Sequence, residues 1–345
     1  MPDSMSLFGK LMNGELPSRV PVALNLFDQG QKELRLTSEQ YYSRAENVVS
    51  GQLELRKKYG HDVVWGTHYV ARQAEILGSR RTIFPTNGPP NVGDMVIKTH
   101  KDIETLQIPD DVTEHPSFTI QLDTIRMLKR ELNGSAPVCA FQTGTFTLPS
   151  ILMGIHAWMD LFLTGPPSLV DELLTKCSEY TIKTFSALKE AGATLVAYAN
   201  PMVSTDFFSL PQITERCLPW VKRDMTRMGT DGLVYFCGGS RINGVLPEIL
   251  KRTTIGAFLV HPQDDVAHAK ALVGGKALVA GAINDIQLIR CTPEEARQST
   301  KEIIEKGAPG GGFILSSLVM PFQIPTQNIH AVVDAAHQYG AYEAT

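Results

Sequence analysis

Tyr235 and Cys237 end an apolar run, GLVYFC, at residues 232–237, just before the paired glycines 238 and 239. Side chains alternate along a strand, so the two residues share a face. A tyrosine at such a strand end can hydrogen-bond a substrate oxygen or a leaving group, and a thiol beside it can line a pocket or hold one metal contact. The plainer alternative is a satisfied core hydroxyl and a small core thiol. His261 closes the next run, GAFLVHP, where an imidazole could donate a proton or ligate a metal, or simply bond its own loop. Asp62 and His68 lie in HDVVWGTHY and are further polar candidates. Cys237, His261 and His68 would form a rearranged metal site only if the fold brings them together. Asp206, in MVSTDFF, is the acid candidate, because burial raises a carboxyl pKa; capping the following helix is its competing role. Arg241 could clamp a substrate carboxylate with both guanidinium nitrogens or face solvent. Gln142 could donate to a substrate oxygen, and Trp65 could form an aromatic pocket wall. Trp158 and Trp220 read as core.

The elements that must position these residues alternate in type. Apolar runs at 137–141, 194–199, 232–237, 255–260, 276–282 and 312–315 are separated mostly by helix-length spacers. That pattern predicts repeated strand–helix units around a parallel sheet. Thr292, Pro293 and Glu295 predict a helix from there to about Lys306, with Gly307 as its cap. Thr37 and Gln40 predict a second capped helix running to Gly60, with Tyr41, Ala45, Val48, Val49 and Leu53 facing the core. Neither GxGxxG nor GxxxxGK follows an early strand, which argues against an open doubly wound sheet. The fold expected is α/β, a (β/α)₈ TIM barrel with residues 1–345 as one domain. Residues 1 to about 115, broken by prolines, form an N-terminal elaboration.

The chain has 345 residues, 43% of them hydrophobic, enough for a large core without disulfides or a structural metal. Lys plus Arg number 32 against 36 acidic residues, and without a basic tract nucleic-acid binding is a poor expectation. Five scattered cysteines without a CxxC pair fit a reduced, cytoplasmic setting. The start of the chain lacks the apolar segment of a signal peptide. The most apolar stretch, 151–163, holds His156 and Asp160 and is too short to span a bilayer.

The C-terminal two thirds resembles the uroporphyrinogen decarboxylase superfamily, and within it the methylcobamide:coenzyme M methyltransferase branch. The likeness runs in order through GTFTLPS at 144–150, MDLFLTGPPSLVDELL at 159–174, ANPMVSTDFFSLPQITERCLPWVKR at 199–223, YFCGGS at 235–240, GAINDIQLIRCTPEEAR at 281–297 and PGGGFILSS with QNIHAVVDAA across 309–336. A weaker likeness covers 59–78. The resemblance implies a TIM barrel with its pocket at the C-terminal ends of the strands.

Decarboxylases of this family carry an early arginine-rich segment that grips porphyrinogen carboxylates. Here the corresponding VPVALNLFDQG, 20–30, holds no arginine. The methyltransferase branch usually holds zinc through His-x-Cys and a later cysteine. In this chain Tyr235 stands at the histidine position, Cys237 is kept, and SSLVMP at 316–321 has no cysteine. Asn200 and Asn284 stand where the family often has aspartates, and both are expected to bind substrate. The resemblance with these departures implies a methyltransferase of O-demethylase type. It would move a methyl group from a small methylated, methoxylated aromatic substrate to the cobalt of a corrinoid-binding partner protein, with Tyr235 supporting the leaving oxygen. The corrinoid (cobalamin) would arrive on that partner, since no DxHxxG segment occurs here. Zinc and homodimerisation stay open. The alternatives are a decarboxylase of the uroporphyrinogen type and a non-catalytic barrel that binds a ligand or partner.

Overall fold

A computed structural model describes residues 3–66 and 69–342. Eight parallel strands form the central sheet: β1 (Val22–Asn25), β2 (Val64–Trp65), β3 (Val138–Thr143), β4 (Leu195–Ala199), β5 (Leu233–Phe236), β6 (Ala257–Leu259), β7 (Leu278–Ile283) and β8 (Phe313–Val319). Their spatial order is β1-β8-β7-β6-β5-β4-β3-β2. This is the α/β barrel expected, and six of the strands overlap the six apolar runs. β1 and β2 share no strand ladder. The Asp62 N–H donates to the Val22 carbonyl at 2.8 Å, and the Trp65 indole donates to the Leu24 carbonyl at 3.0 Å.

Parallel strands buried on both faces need two sets of apolar side chains. One set points into the lumen: Phe141, Ala197, Val234, and then Phe236, Leu259, Ala280 and Ile314, follow the cross-strand register. The other set points out to the helices. Gln142, Tyr198, Tyr235 and Phe258 are consecutive partners in one such outward row.

Helices follow the strands around the barrel, including Pro116–Leu132, Pro167–Glu190, Leu218–Met228 and Thr326–Tyr339. The helix read from Thr292 spans Pro293–Gly307, and its capping box forms as expected, although Gly307 ends the helix and Ala308 caps it. The long helix expected from Thr37 to Gly60 is broken. Its capping box forms, but the chain makes a short helix, Ser38–Tyr42, and restarts at Ala45–Tyr59. Arg44 is extended at the break. Tyr41, Tyr42 and Val48 then pack with Tyr69 and Ala71 in a satellite cluster. Tertiary packing of the tyrosines outweighs a continuous helix here.

Asp62 sits at the entry of β2, at the opposite end from the strand termini. It accepts from Ser4 Oγ at 2.8 Å, from Arg19 at 2.6 and 2.7 Å, and from the Val22 N–H at 2.8 Å. It ties the N-terminal helix Ser4–Met12 to the barrel base and is not a pocket residue. Among the described residues no helix is long and apolar enough to cross a membrane.

Candidate active site at the barrel mouth

The C-terminal ends of β3, β4, β5 and β8 surround a cavity of about 400 Å³, the end of a TIM barrel where ligands bind. Its walls are apolar: Phe141, Ile151, Ala199, Phe236, Leu318 and Val319. The Phe141 and Phe236 rings meet edge to face at 5.4 Å. Polar groups enter from Thr143, Thr147, Ser150 and Asp285. Thr147 Oγ1 donates to Asn200 Oδ1 at 3.3 Å, and Ser150 Oγ donates to the Thr147 carbonyl at 2.7 Å. These bonds fix the first turn after β3. Gly144 is required beside them, because a Cβ there would overlap the Asn200 carboxamide.

Among the described residues Asp285 is the one charged-type side chain of this lining. It is buried at 5% exposure. Burial raises its pKa, opposed by its own N–H and that of Ile286. The residue expected from the sequence to bind substrate here is Asn284. Strict alternation from the lumen-facing Ala280 and Ala282 would aim Asn284 inward, but the chain leaves strand geometry after Ile283. Asn284 is exposed, and its Oδ1 accepts from the Gln287 N–H to cap a short turn. The next residue turns into the cavity.

The other expected site residues fall into three groups. Asp206, Arg241 and His261 come together on the rim formed after β4, β5 and β6. Arg241 donates from Nε and Nη2 to Asp206 Oδ1 at 2.9 and 2.5 Å, and from its backbone N–H to Oδ2 at 2.9 Å. Burial pushes the Asp206 carboxyl up, but the Arg241 bonds and charge outweigh it, so its pKa is lowered. Asp206 is therefore an ionised ion-pair partner, not an acid with a raised pKa, and Arg241 is already engaged. His261 Nδ1 accepts from the Gln263 N–H at 3.1 Å. Burial lowers its pKa, against the pull of Asp264 and Asp206. Asp264, which the sequence reading passed over, accepts from the Ile242, Asn243 and His261 N–H groups and stitches these loops together.

Gln142 and Tyr235 form the second group, and they face the helices. Gln142 Nε2 donates to the Thr181 carbonyl of helix Pro167–Glu190 at 2.8 Å. Tyr235 is fully buried between Tyr198 and Phe258 and feels Cys217 just before helix Leu218–Met228. Neither lines the mouth, which corrects the roles read for both. The strand-end position was legible; the parity relative to the lumen was not.

Trp65, Asn200 and Cys237 support the mouth without lining it. Trp65 touches Phe27 at 5.2 Å, and Phe27 touches Phe141 at 6.3 Å, so Trp65 floors the cavity at one remove. Asn200 is fully buried and holds Thr147. Cys237 is fully buried, and desolvation pushes its thiol up to about 12. His68 lies outside the described residues. Among the described residues no three His, Cys, Asp or Glu side chains are placed to hold a metal ion. Cys237 belongs to no such group and Tyr235 is turned toward the helices, so the described residues do not match the ligand set of the zinc–thiolate site of the methyltransferase branch.

An eight-stranded parallel barrel with an apolar mouth at its strand ends defines a TIM-barrel enzyme scaffold. The family model of "Uroporphyrinogen decarboxylase (URO-D)" matches residues 3–339, and the chain belongs to that family. It is 23% identical over 278 residues to the methylcobamide:CoM methyltransferase MtbA of Methanosarcina acetivorans, covering 78% of each chain. It is 25% identical over 278 residues to a uroporphyrinogen decarboxylase of Alkalilimnicola ehrlichii, covering 76% of this chain and 73% of that one. A solved methyltransferase from Methanosarcina mazei superposes with a TM-score of 0.86 at 18% identity, covering 98% and 99% of the two chains. The fold is thus shared with that methyltransferase along nearly the whole chain.

Proposed function

We propose that this chain is a methyltransferase that moves a methyl group from a small, largely apolar methylated donor, a methoxylated aromatic, to a corrinoid carried by a separate protein. The observation that carries the reading is the mouth itself. Among the described residues its lining holds no Lys, Arg or His. A porphyrinogen bearing eight carboxylates needs cations to neutralise it. Phe27, from the segment where decarboxylases are arginine-rich, instead packs on Trp65 and Phe141. The likeness to methylcobamide:CoM methyltransferases supports methyl transfer as the alternative chemistry.

A cavity of about 400 Å³ lies in the range of small-molecule sites and does not enclose a corrinoid macrocycle with its side chains. A corrinoid would therefore present one face from outside, on its own protein. The corrinoid supplies the methyl-accepting cobalt. This chain's residues hold the donor against the paired rings of Phe141 and Phe236, keep water from it with Leu318 and Val319, and orient it through the Thr143, Thr147 and Asp285 edge. Orientation and leaving-group electrostatics are the barrel's share of such a reaction.

The test combines the protein with a reduced corrinoid protein and a panel of methyl ethers, methylamines and methyl thioethers, following the corrinoid absorbance. Donor-dependent methylation by an aryl methyl ether is expected. Binding of ethers without methylation of any corrinoid would favour the non-catalytic barrel. Release of carbon dioxide from a porphyrinogen would restore the decarboxylase reading.

A further inference from the structure

Among the described residues the mouth has apolar walls, the hydroxyls of Thr143, Thr147 and Ser150, and one buried carboxyl; an alcohol such as Thr143 can offer a hydrogen bond but, unlike a carboxylic acid, does not give up its proton to a phenolate. Thr147 and Ser150 direct their protons to Asn200 and to a main-chain carbonyl, so neither is free to donate without breaking a bond that holds the loop. Among the described residues the groups that favour the Asp285 carboxylate are two backbone N–H groups of its own turn, its own and that of Ile286. From the other elements it faces Thr143, Thr147, Ser150 and apolar side chains, with no charged partner among the described residues. A carboxylate in that setting is poorly solvated, and burial accordingly raises its pKa. Its position is particular to the turn after β7, where Asn284 swings out to solvent and Asp285 swings in.

We infer that Asp285 is the proton donor to the heteroatom leaving the substrate's methyl group, and that the mouth selects an uncharged methyl ether over carboxylate or ammonium donors. The inference rests on the methyl-transfer reading above. In the step, the methyl carbon exchanges its bond to oxygen for a bond to the acceptor, the reduced corrinoid cobalt, whose electron pair makes the new bond. The electron pair of the broken C–O bond stays on oxygen. That oxygen takes the Asp285 proton, and the carboxylate regains one from water before the next turnover. A phenolate would otherwise be stranded among Phe141, Phe236 and Leu318. The neutral acid also repels no neutral ether and has no charge with which to attract a quaternary ammonium.

The experiment has a binding arm and a rate arm. Anisole, benzoate and tetramethylammonium are titrated against the protein by ligand-observed NMR across pH. Anisole binding should weaken several-fold as pH rises and Asp285 ionises, while Asp285→Asn, which keeps a donor but cannot titrate, binds anisole with no such pH dependence. Tetramethylammonium binding that strengthens with pH in the native chain and is lost in Asp285→Asn would overturn the inference in favour of a cationic donor. In the rate arm, aryl methyl ethers of graded phenol acidity are compared. General-acid help is typically worth ~10²–10⁴-fold. Asp285→Asn should lose a factor of that order for the least acidic phenols and much less for the most acidic. An equal loss across the series, or none, would overturn the proton-donor role. Asp285→Ser, smaller and also without a carboxyl, must behave as the Asn variant does, and thermal melting of both checks that each is folded. If no donor methylates any corrinoid yet the pH dependence of anisole binding follows Asp285, the function reading fails and the pocket chemistry stands. If methylation occurs and Asp285→Asn matches the native chain in both arms, the reverse holds.

Discussion

Tyr235 lies two strands from Gln142 in the same cross-strand row, with Tyr198 between them, and all three side chains leave the lumen for the helices. Tyr198 meets Asp224 of helix Leu218–Met228 at 2.5 Å and Gln142 meets Thr181, but the Tyr235 hydroxyl has no hydrogen-bond partner among the described residues. A buried hydroxyl without a partner costs roughly 1–3 kcal/mol.

Tyr235→Phe should therefore raise the melting temperature, by an amount corresponding to roughly 1 kcal/mol, and leave kcat unchanged. Thermal unfolding and steady-state methyl transfer check this. A ten-fold fall in kcat with unchanged KM would put the hydroxyl back at the reacting atoms.

Asp28 sets a pH dependence of stability. It is buried just after β1, accepts the Tyr42 hydroxyl at 2.5 Å, and burial pushes it up to about 6 against that bond. Because its folded pKa exceeds its unfolded one, its contribution is fully present below about pH 4 and is lost as pH rises through about 6. Asp28→Asn cannot ionise. Between those two pH values the native chain should lose roughly 2–3 kcal/mol relative to the variant, read from denaturant unfolding at each pH. Parallel pH curves would show that Asp28 does not titrate in this range.

The Asp206–Arg241 pair has the opposite sign. The Asp206 pKa is lowered, so the pair holds the rim loops above the ordinary carboxylate value and releases them as pH falls through the lowered folded one. In Arg241→Gln the lowering by the guanidinium is gone while burial still raises the carboxyl, so the release should come at higher pH than in the native chain. Hydrogen exchange or limited proteolysis of residues 200–209 and 238–245 across acid pH would show it. Coincident profiles for the two proteins would mean that the pair does not order the rim.

Gly144→Ala drives a methyl group into Asn200. Overpacking of this kind costs typically ~1–3 kcal/mol, and the displaced Asn200 would release Thr147 at the cavity edge, raising KM for a small donor. Asn200→Ala makes room, so the double variant should be less destabilised than the sum of the two singles. Additive losses would show that the two sites do not share the space.

Much of the barrel was legible in the chain. Runs such as 194–199 and 276–282 are too uniformly apolar for a sheet with one wet face, and Thr292-Pro293 with Glu295 marks a helix start on its own. The mouth was half legible. Strand ends point to a region, but a one-residue error in parity exchanges lumen for helix, as it did for Tyr235 and Gln142. Likewise the turn after Ile283 exchanges Asn284 for Asp285, and nothing local in AINDIQ announces that the strand stops alternating there. The ion pair of Asp206 with Arg241 joins residues 35 apart in sequence, and only the closed sheet makes them neighbours.

The seam between β1 and β2 is closed differently from the rest of the wall. Seven neighbouring strand pairs are laced by ladders, while this one is joined by the Asp62 N–H to the Val22 carbonyl, by the Val22 N–H to the Asp62 carboxylate, by the Trp65 indole to Leu24 and by Gln52 bridging Leu26 and Trp65. At this one joint the wall is closed largely through side chains, those of Asp62, Gln52 and Trp65, rather than through a ladder. Phe27, carried just past β1, and Trp65, at the end of β2, stand on the two sides of that joint. The floor beneath Phe141 is therefore closed by side chains, whereas Phe236 and the strand of Leu318 are held by ladders, so a substitution at Asp62 or Gln52 touches the seam and leaves the rest of the wall paired.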